Sequence, residues 1–146
     1  MQNPNAEILH LSIHSFTPEL NGEIRNADLG ILYDPSRKEE SALAKKIQKN
    51  LILIAPDLRV RKNYPYQGKN DGHTTALRKI FPPEKYIGFE IEMNQAYLQK
   101  ISPQKMAGIL MESLFWFWNE VFIPDEILDI LQSEIAINLF CQKFFC

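Results

Sequence analysis

The stretch "YIGFEIEMNQ", Tyr86 to Gln95, constrains the fold more than any other. Ile87, Phe89, Ile91 and Met93 alternate with Gly88, Glu90 and Glu92. A period of two puts the two sets on opposite faces of a strand. The apolar face asks for a packed layer. The other face carries two carboxylates, which under cover need solvent, a cation or a metal-bound water. Two readings of that face stand side by side. Either Glu92, nearer the strand end, is a general base, or the strand is an edge with one wet face.

The rest of the chain alternates strands with helices. Ile8 to His14 reads as a strand with Leu9, Leu11 and Ile13 on one side and His10, Ser12 and His14 on the other. Pro18 and Asn21-Gly22 mark a loop, and Leu29 to Tyr33 is a second apolar strand. Ser36-Arg37-Lys38-Glu39 has the form of a capping box ahead of Leu43, Ile47, Leu51 and Ile54 at helical spacing. A short strand is expected over Leu58 to Arg61, a polar loop over Asn63 to His73, and a short helix over Thr74 to Ile80. Ser102-Pro103 opens a helix to about Phe122, and Pro124-Asp125 opens a last one. This order predicts an α/β fold, a mixed or mostly parallel sheet in an α/β/α layer arrangement. A chain of 146 residues suits one domain, 1–146.

Charge and cysteines narrow the class. A net charge of −2 gives no basic excess for nucleic acid. Cys141 and Cys146 match neither a disulfide framework nor a zinc-knuckle spacing and read as reduced thiols. No basic segment followed by an apolar core opens the chain, and no apolar run is long enough for a bilayer. A cytoplasmic protein with no membrane or nucleic-acid partner is expected.

Besides the two glutamates, three places could carry chemistry. His14 ends its strand just before a loop, where α/β sheets bind ligands, and a neutral imidazole there can bind zinc; a histidine hydrogen-bonded at a loop start is the plainer reading. His10 lies roughly 13 Å from it along the strand and is not expected to share an ion. Arg25 suits a substrate carboxylate or a developing oxyanion, although a surface arginine is the commoner case. Asn63, Tyr64 and Tyr66 offer hydrogen-bonding groups around Pro65, or else make a structural turn. Thr74, Thr75 and Arg78 are assigned to the short helix rather than to chemistry. The aromatic run Phe115 to Trp118 reads as core on one face and a partner contact on the other.

At these residues the chain resembles the N-formylglutamate amidohydrolases. "IHSFTPELNGEIRNADLGILYD" is similar to the stretch holding that family's final metal-binding histidine. "RKNYPYQG" resembles its asparagine-x-proline-tyrosine loop, and "DGHTTALRKIFPPEKYIGFEIEMNQAYL" the segment ending in its glutamate-bearing strand. The resemblance runs in order from Ile8 to Leu98. It implies a zinc-dependent hydrolase of carboxypeptidase-like fold that releases formate from N-formyl-L-glutamate. His14 falls on a metal-ligand position, Glu92 on the general base, and Arg25 on a substrate-binding arginine. Asn63, Tyr66 and Asn94 fall within the substrate-binding segments, with Asn94 where the formylglutamate enzymes tend to have arginine. That departure favours the broader family of predicted amidohydrolases.

The family's other metal ligands, a histidine and a glutamate, lie well upstream of its histidine-serine-phenylalanine motif. Here thirteen residues precede His14. The expectation is therefore a C-terminal portion of a longer enzyme, lacking its N-terminal part and binding zinc weakly if at all. His14 and Glu92 are expected to open into one cleft at the same sheet edge, with Arg25 on its rim. The rival readings are a non-catalytic remnant or interaction module, and one subunit of a split hydrolase. The partner would be a missing N-terminal half or, in a homo-oligomer, another copy. Trp116, Trp118, Phe144 and Phe145 are the residues expected at such an interface.

Overall fold

The computed structural model describes residues 8–70 and 72–122, the side chains of 115–122 excepted. Six strands and four helices follow in the order β1 (Ile8–Phe16), β2 (Glu19–Leu20), β3 (Glu23–Ile24), β4 (Leu29–Leu32), α1 (Lys38–Ile54), β5 (Val60–Lys62), α2 (Gly72–Ile80), β6 (Tyr86–Asn94), α3 (Gln95–Leu98) and α4 (Pro103–Phe122). Four strands make the main sheet in the order β1-β6-β4-β5. β1 runs parallel to β6, β4 runs antiparallel to β6, and β5 runs parallel to β4. The fold is α/β with a mixed sheet.

β6 lies inside the sheet, between β1 and β4. The wet-edge reading of Glu90 and Glu92 is thereby corrected: both are buried. The odd-numbered face of β6 meets α1 as the alternation requires. Leu29, Ile31, Ile87, Phe89 and Ile91 form one cluster with Leu43, Ala44, Ile47 and Leu51 of α1 and Met106 of α4. Burial of such aliphatic side chains contributes roughly 1.5–3 kcal/mol each. The opposite face of β6 meets α2, so helices cover both sides of the sheet.

The start of α1 differs from the capping box. Arg37 is the N-cap residue, with no side-chain capping bond. Ser36 donates its hydroxyl to Asp34 Oδ1 at 2.7 Å instead. A short acceptor two residues back outcompetes the helix for that hydroxyl. Asn21-Gly22 does more than mark a loop. It joins β2 to β3 in an antiparallel ribbon, with φ of 53° and 80° at the two turn residues, as a two-residue hairpin of twisted strands needs. The short strand β5 begins at Val60 rather than Leu58, and Leu58 goes to the core instead. The last helix expected from Pro124, the interface residues Phe144 and Phe145 and both cysteines lie outside the described residues. The aromatic side chains Phe115 to Trp118 lie outside the described side chains.

Candidate active site

The parallel register pairs His14 with Glu92 and Ser12 with Glu90. Register partners point to the same face, and neighbouring strands lie about 4.8 Å apart. On the other flank of Glu92 the partner is Gly30 of β4. Glu92 thus sits between an imidazole and a strand position with no side chain. A Cβ built on Gly30 would come within 2.0 Å of the Tyr64 carbonyl oxygen and 3.4 Å of Glu92 Cβ. Glycine lets the Tyr64-Pro65 loop, joined by a cis peptide, lie flat on the sheet beside the carboxylate. A glycine inside an apolar strand run is a signal of such close approach, and "LGIL" carries it.

A cavity of about 470 Å³ opens there, lined by Leu32, Pro65, Tyr66, Gln67, Asn70, Glu90 and Glu92. Pro65 also borders a second hollow of about 320 Å³, lined by Leu20, Asn21, Glu23, Arg25 and Tyr64. The expected single cleft is therefore two adjoining compartments. Glu92 faces the first, and Arg25 faces the second. His14, exposed at the sheet edge, is register-paired to Glu92 but does not line either one. Arg25 reaches the wall between them: its Nη1 donates to the Tyr66 hydroxyl at 3.0 Å, and its guanidinium lies 5.0 Å from the centre of that ring.

A buried polar chain supports Glu90 from below. Thr74 donates its hydroxyl to Glu90 Oε1 at 2.8 Å and accepts from Arg78 Nη1 at 3.2 Å. Arg78 grips the Glu40 carboxylate with Nε at 3.1 Å and Nη2 at 3.0 Å. It also donates to the carbonyls of Gly68 and Gly88. Glu40 in turn accepts from the backbone N–H groups of Asp34 and Gly88. The sequence places Thr74 and Arg78 on the short helix rather than in the chemistry; the structure also links them, through Thr74, to Glu90. Glu40 carried no sequence signal, because its partners lie far along the chain.

Asn63 and Asn94 work on backbone. Asn63 Oδ1 accepts from Tyr33 N and Gly68 N, each at 3.1 Å, and so shapes the loop that presents Tyr66. Asn94 Nδ2 donates to the Ala27 carbonyl at 2.8 Å, and its Oδ1 caps α3 by accepting from Ala96 N. It holds the Arg25–Ala27 segment against the end of β6. Nearby, the Arg59 guanidinium hydrogen-bonds Asp28 and holds its carboxyl below the usual range, against the opposing effect of burial.

The donor set falls short of a zinc centre. Among the described residues no group of three His, Cys, Asp or Glu side chains is placed to hold a metal ion, whereas a catalytic zinc uses three protein ligands. His14 and Glu92 alone do not fit the centre that the family resemblance implies.

No family model and no curated protein matches the chain. Among solved structures, the gene product Atu2144 from Agrobacterium tumefaciens is similar, with a TM-score of 0.56 and 26% identity. The alignment covers 76% of this chain and 43% of that one. The chain thus spans less than half the length of the structure it matches.

Proposed function

We propose that the Glu92 cleft is part of an amide-hydrolase site of the N-formylglutamate amidohydrolase kind, acting on small N-acyl amino acids. The observation that carries this reading is the placement of Glu92. A buried carboxylate stands at the end of a central strand, beside His14, on a cavity whose neighbour holds Arg25. In the reaction, Arg25 binds the substrate carboxylate with a charge-assisted hydrogen bond. Tyr66 turns the bound molecule toward the first compartment. Glu92 takes a proton from the water that attacks the amide carbonyl and passes it to the leaving nitrogen as the C–N bond breaks. The products are a free acid, formate for an N-formyl substrate, and the amino acid.

The shortage of donors favours a second reading, in which the chain is one part of a split hydrolase whose other part brings the remaining ligands. We place either form in the cytoplasm; among the described residues no helix is long and apolar enough to cross a membrane.

Titration of the isotope-labelled chain with N-formylglutamate, followed by amide NMR shifts, tests the binding half of the proposal. Saturable shifts are expected at Tyr66, Gln67 and the Glu90–Glu92 strand, and they should weaken with Arg25→Ala. Saturable shifts confined to other surfaces, or none for any N-acyl amino acid tried, would overturn it.

A further inference from the structure

The two edges of the main sheet are built differently. β5 is three residues long and carries Arg61 and Lys62, the short and charged form by which sheets discourage further pairing. β1 is nine residues long, "ILHLSIHSF", with no charged residue and no proline. Its register with β6 runs unbroken from Ile8 to Phe16, so no bulge turns the edge away. Among the described residues no strand lies on its other side. Ile8 and Ile13 remain 37% and 48% exposed there.

The order of residues along β1 is close to a palindrome about Ser12. Leu11 mirrors Ile13, His10 mirrors His14, and Ile8 mirrors Phe16; only Leu9 against Ser15 breaks the match. We propose that β1 pairs antiparallel with β1 of a second copy, centred on Ser12, so that two four-stranded sheets join into one. Residues directly opposite share a face in an antiparallel pair. Leu11 and Ile13 of each copy then meet on the apolar side, covering the exposed Ile13. Ser12 meets its own counterpart, and His14 meets the partner's His10 on the side of Glu92. With no formal charge in the segment, no like-charged carboxylates or ammonium groups are brought together.

A wet or charged edge would resist this pairing, and β5 is such an edge. The self-complementary order of β1 selects a second copy over an unrelated strand, because every pair but one matches by type. The interface stands apart from the hydrolase reading and needs neither Arg25 nor Glu92.

The full 146-residue chain tests it directly. Sedimentation should give twice the 17.0 kDa chain mass, and Ile13→Lys, at a half-exposed position, should return the chain mass. Ile24→Lys, on the outlying ribbon where Ile24 is 81% exposed, should leave the dimer intact. A second readout does not depend on Ile13→Lys folding. The Cα atoms of opposed residues in an antiparallel pair lie about 4.5–5.5 Å apart, within the Cα separation that a disulfide spans. With Cys141 and Cys146 changed to serine, Ser12→Cys should give a covalent dimer under mild oxidation and Ile24→Cys should not. A wild-type chain that stays at single mass at all concentrations would overturn the proposal. So would a dimer in which Ser12→Cys fails to cross-link.

Discussion

The two faces of β6 are stabilised by different physics. On one side Phe89 and Ile91 are fully covered by aliphatic neighbours from β4 and α1. On the other side Glu90 and Glu92 are also buried, but among a threonine, an ion pair and a cavity. The first face derives its stability from apolar area removed from water. The second face keeps part of that source, in Tyr86 and Leu32, and sets buried polar groups beside it. It holds together because Arg78, Glu40 and Thr74 satisfy one another and the loop carbonyls around them. The cavity beside these two buried carboxylates is the feature on which the proposed ligand site rests.

Substitutions can break this contrast. The largest effects should come from the two centres of support. Phe89→Ala removes a fully buried ring from the apolar face and should cost about 3–5 kcal/mol in denaturant unfolding. Glu40→Ala should cost a similar amount, about 3–5 kcal/mol, because it strands the buried Arg78 guanidinium. The two differ in their rescue. The double change Glu40→Met with Arg78→Met should recover part of the loss on the polar side, because it removes the stranded charge but leaves the backbone groups of Asp34, Gly68 and Gly88 that the pair served without those partners. Nothing comparable restores Phe89→Ala. If the double variant is no more stable than Glu40→Ala, the ion pair is not the feature that holds this face.

A smaller effect sharpens the link between support and site. Thr74→Val keeps the shape but removes the hydroxyl that donates to Glu90 and accepts from Arg78. A loss of about 1–3 kcal/mol is expected, together with altered amide shifts along Glu90–Glu92 but not along the opposite face of α1. Unchanged strand shifts would detach α2 from the cleft.

These differences show what the sequence could reveal. Alternation in "YIGFEIEMNQ" and the helical spacing of Leu43, Ile47 and Leu51 predict elements that the structure contains, because periodicity is local. The pairing of His14 with Glu92 depends on which strands become neighbours, and periodicity does not encode that. Glu40 and Arg78 belong to two separate helices, and nothing in either helix marks the other. Asn63 and Asn94 read as substrate groups from their place in the motifs; their bonds to distant backbone emerge only once the loops fold back. Asn21-Gly22 and Gly30 are the opposite case: their local signals were present, as a hairpin turn and as a close approach.

The smallest expected effect concerns acid. Asp28 is held below its ordinary range mainly by the hydrogen bond from Arg59. A carboxyl lowered in the folded state adds stability above its unfolded value of 3.8, and that contribution is lost as pH falls through the lower folded value. Arg59 is more than half exposed, so the contribution is modest. Melting curves taken through this acidic window should show wild type losing stability more steeply than Asp28→Asn. Equal slopes would mean that the clamp contributes nothing measurable.

The most direct test of the proposed chemistry is formate release from N-formylglutamate. Because the described residues place no three metal donors together, the chain alone should be close to inactive. Joined to an N-terminal segment that supplies a histidine and a carboxylate donor, it should hydrolyse the substrate. In that extended chain Glu92→Gln should lower the rate by roughly 10²–10⁴-fold, the usual contribution of a general base, with the fold intact by circular dichroism. An extended chain that fails to hydrolyse any N-acyl amino acid, or that hydrolyses at full rate with Glu92→Gln, would contradict the assignment of Glu92 as the general base.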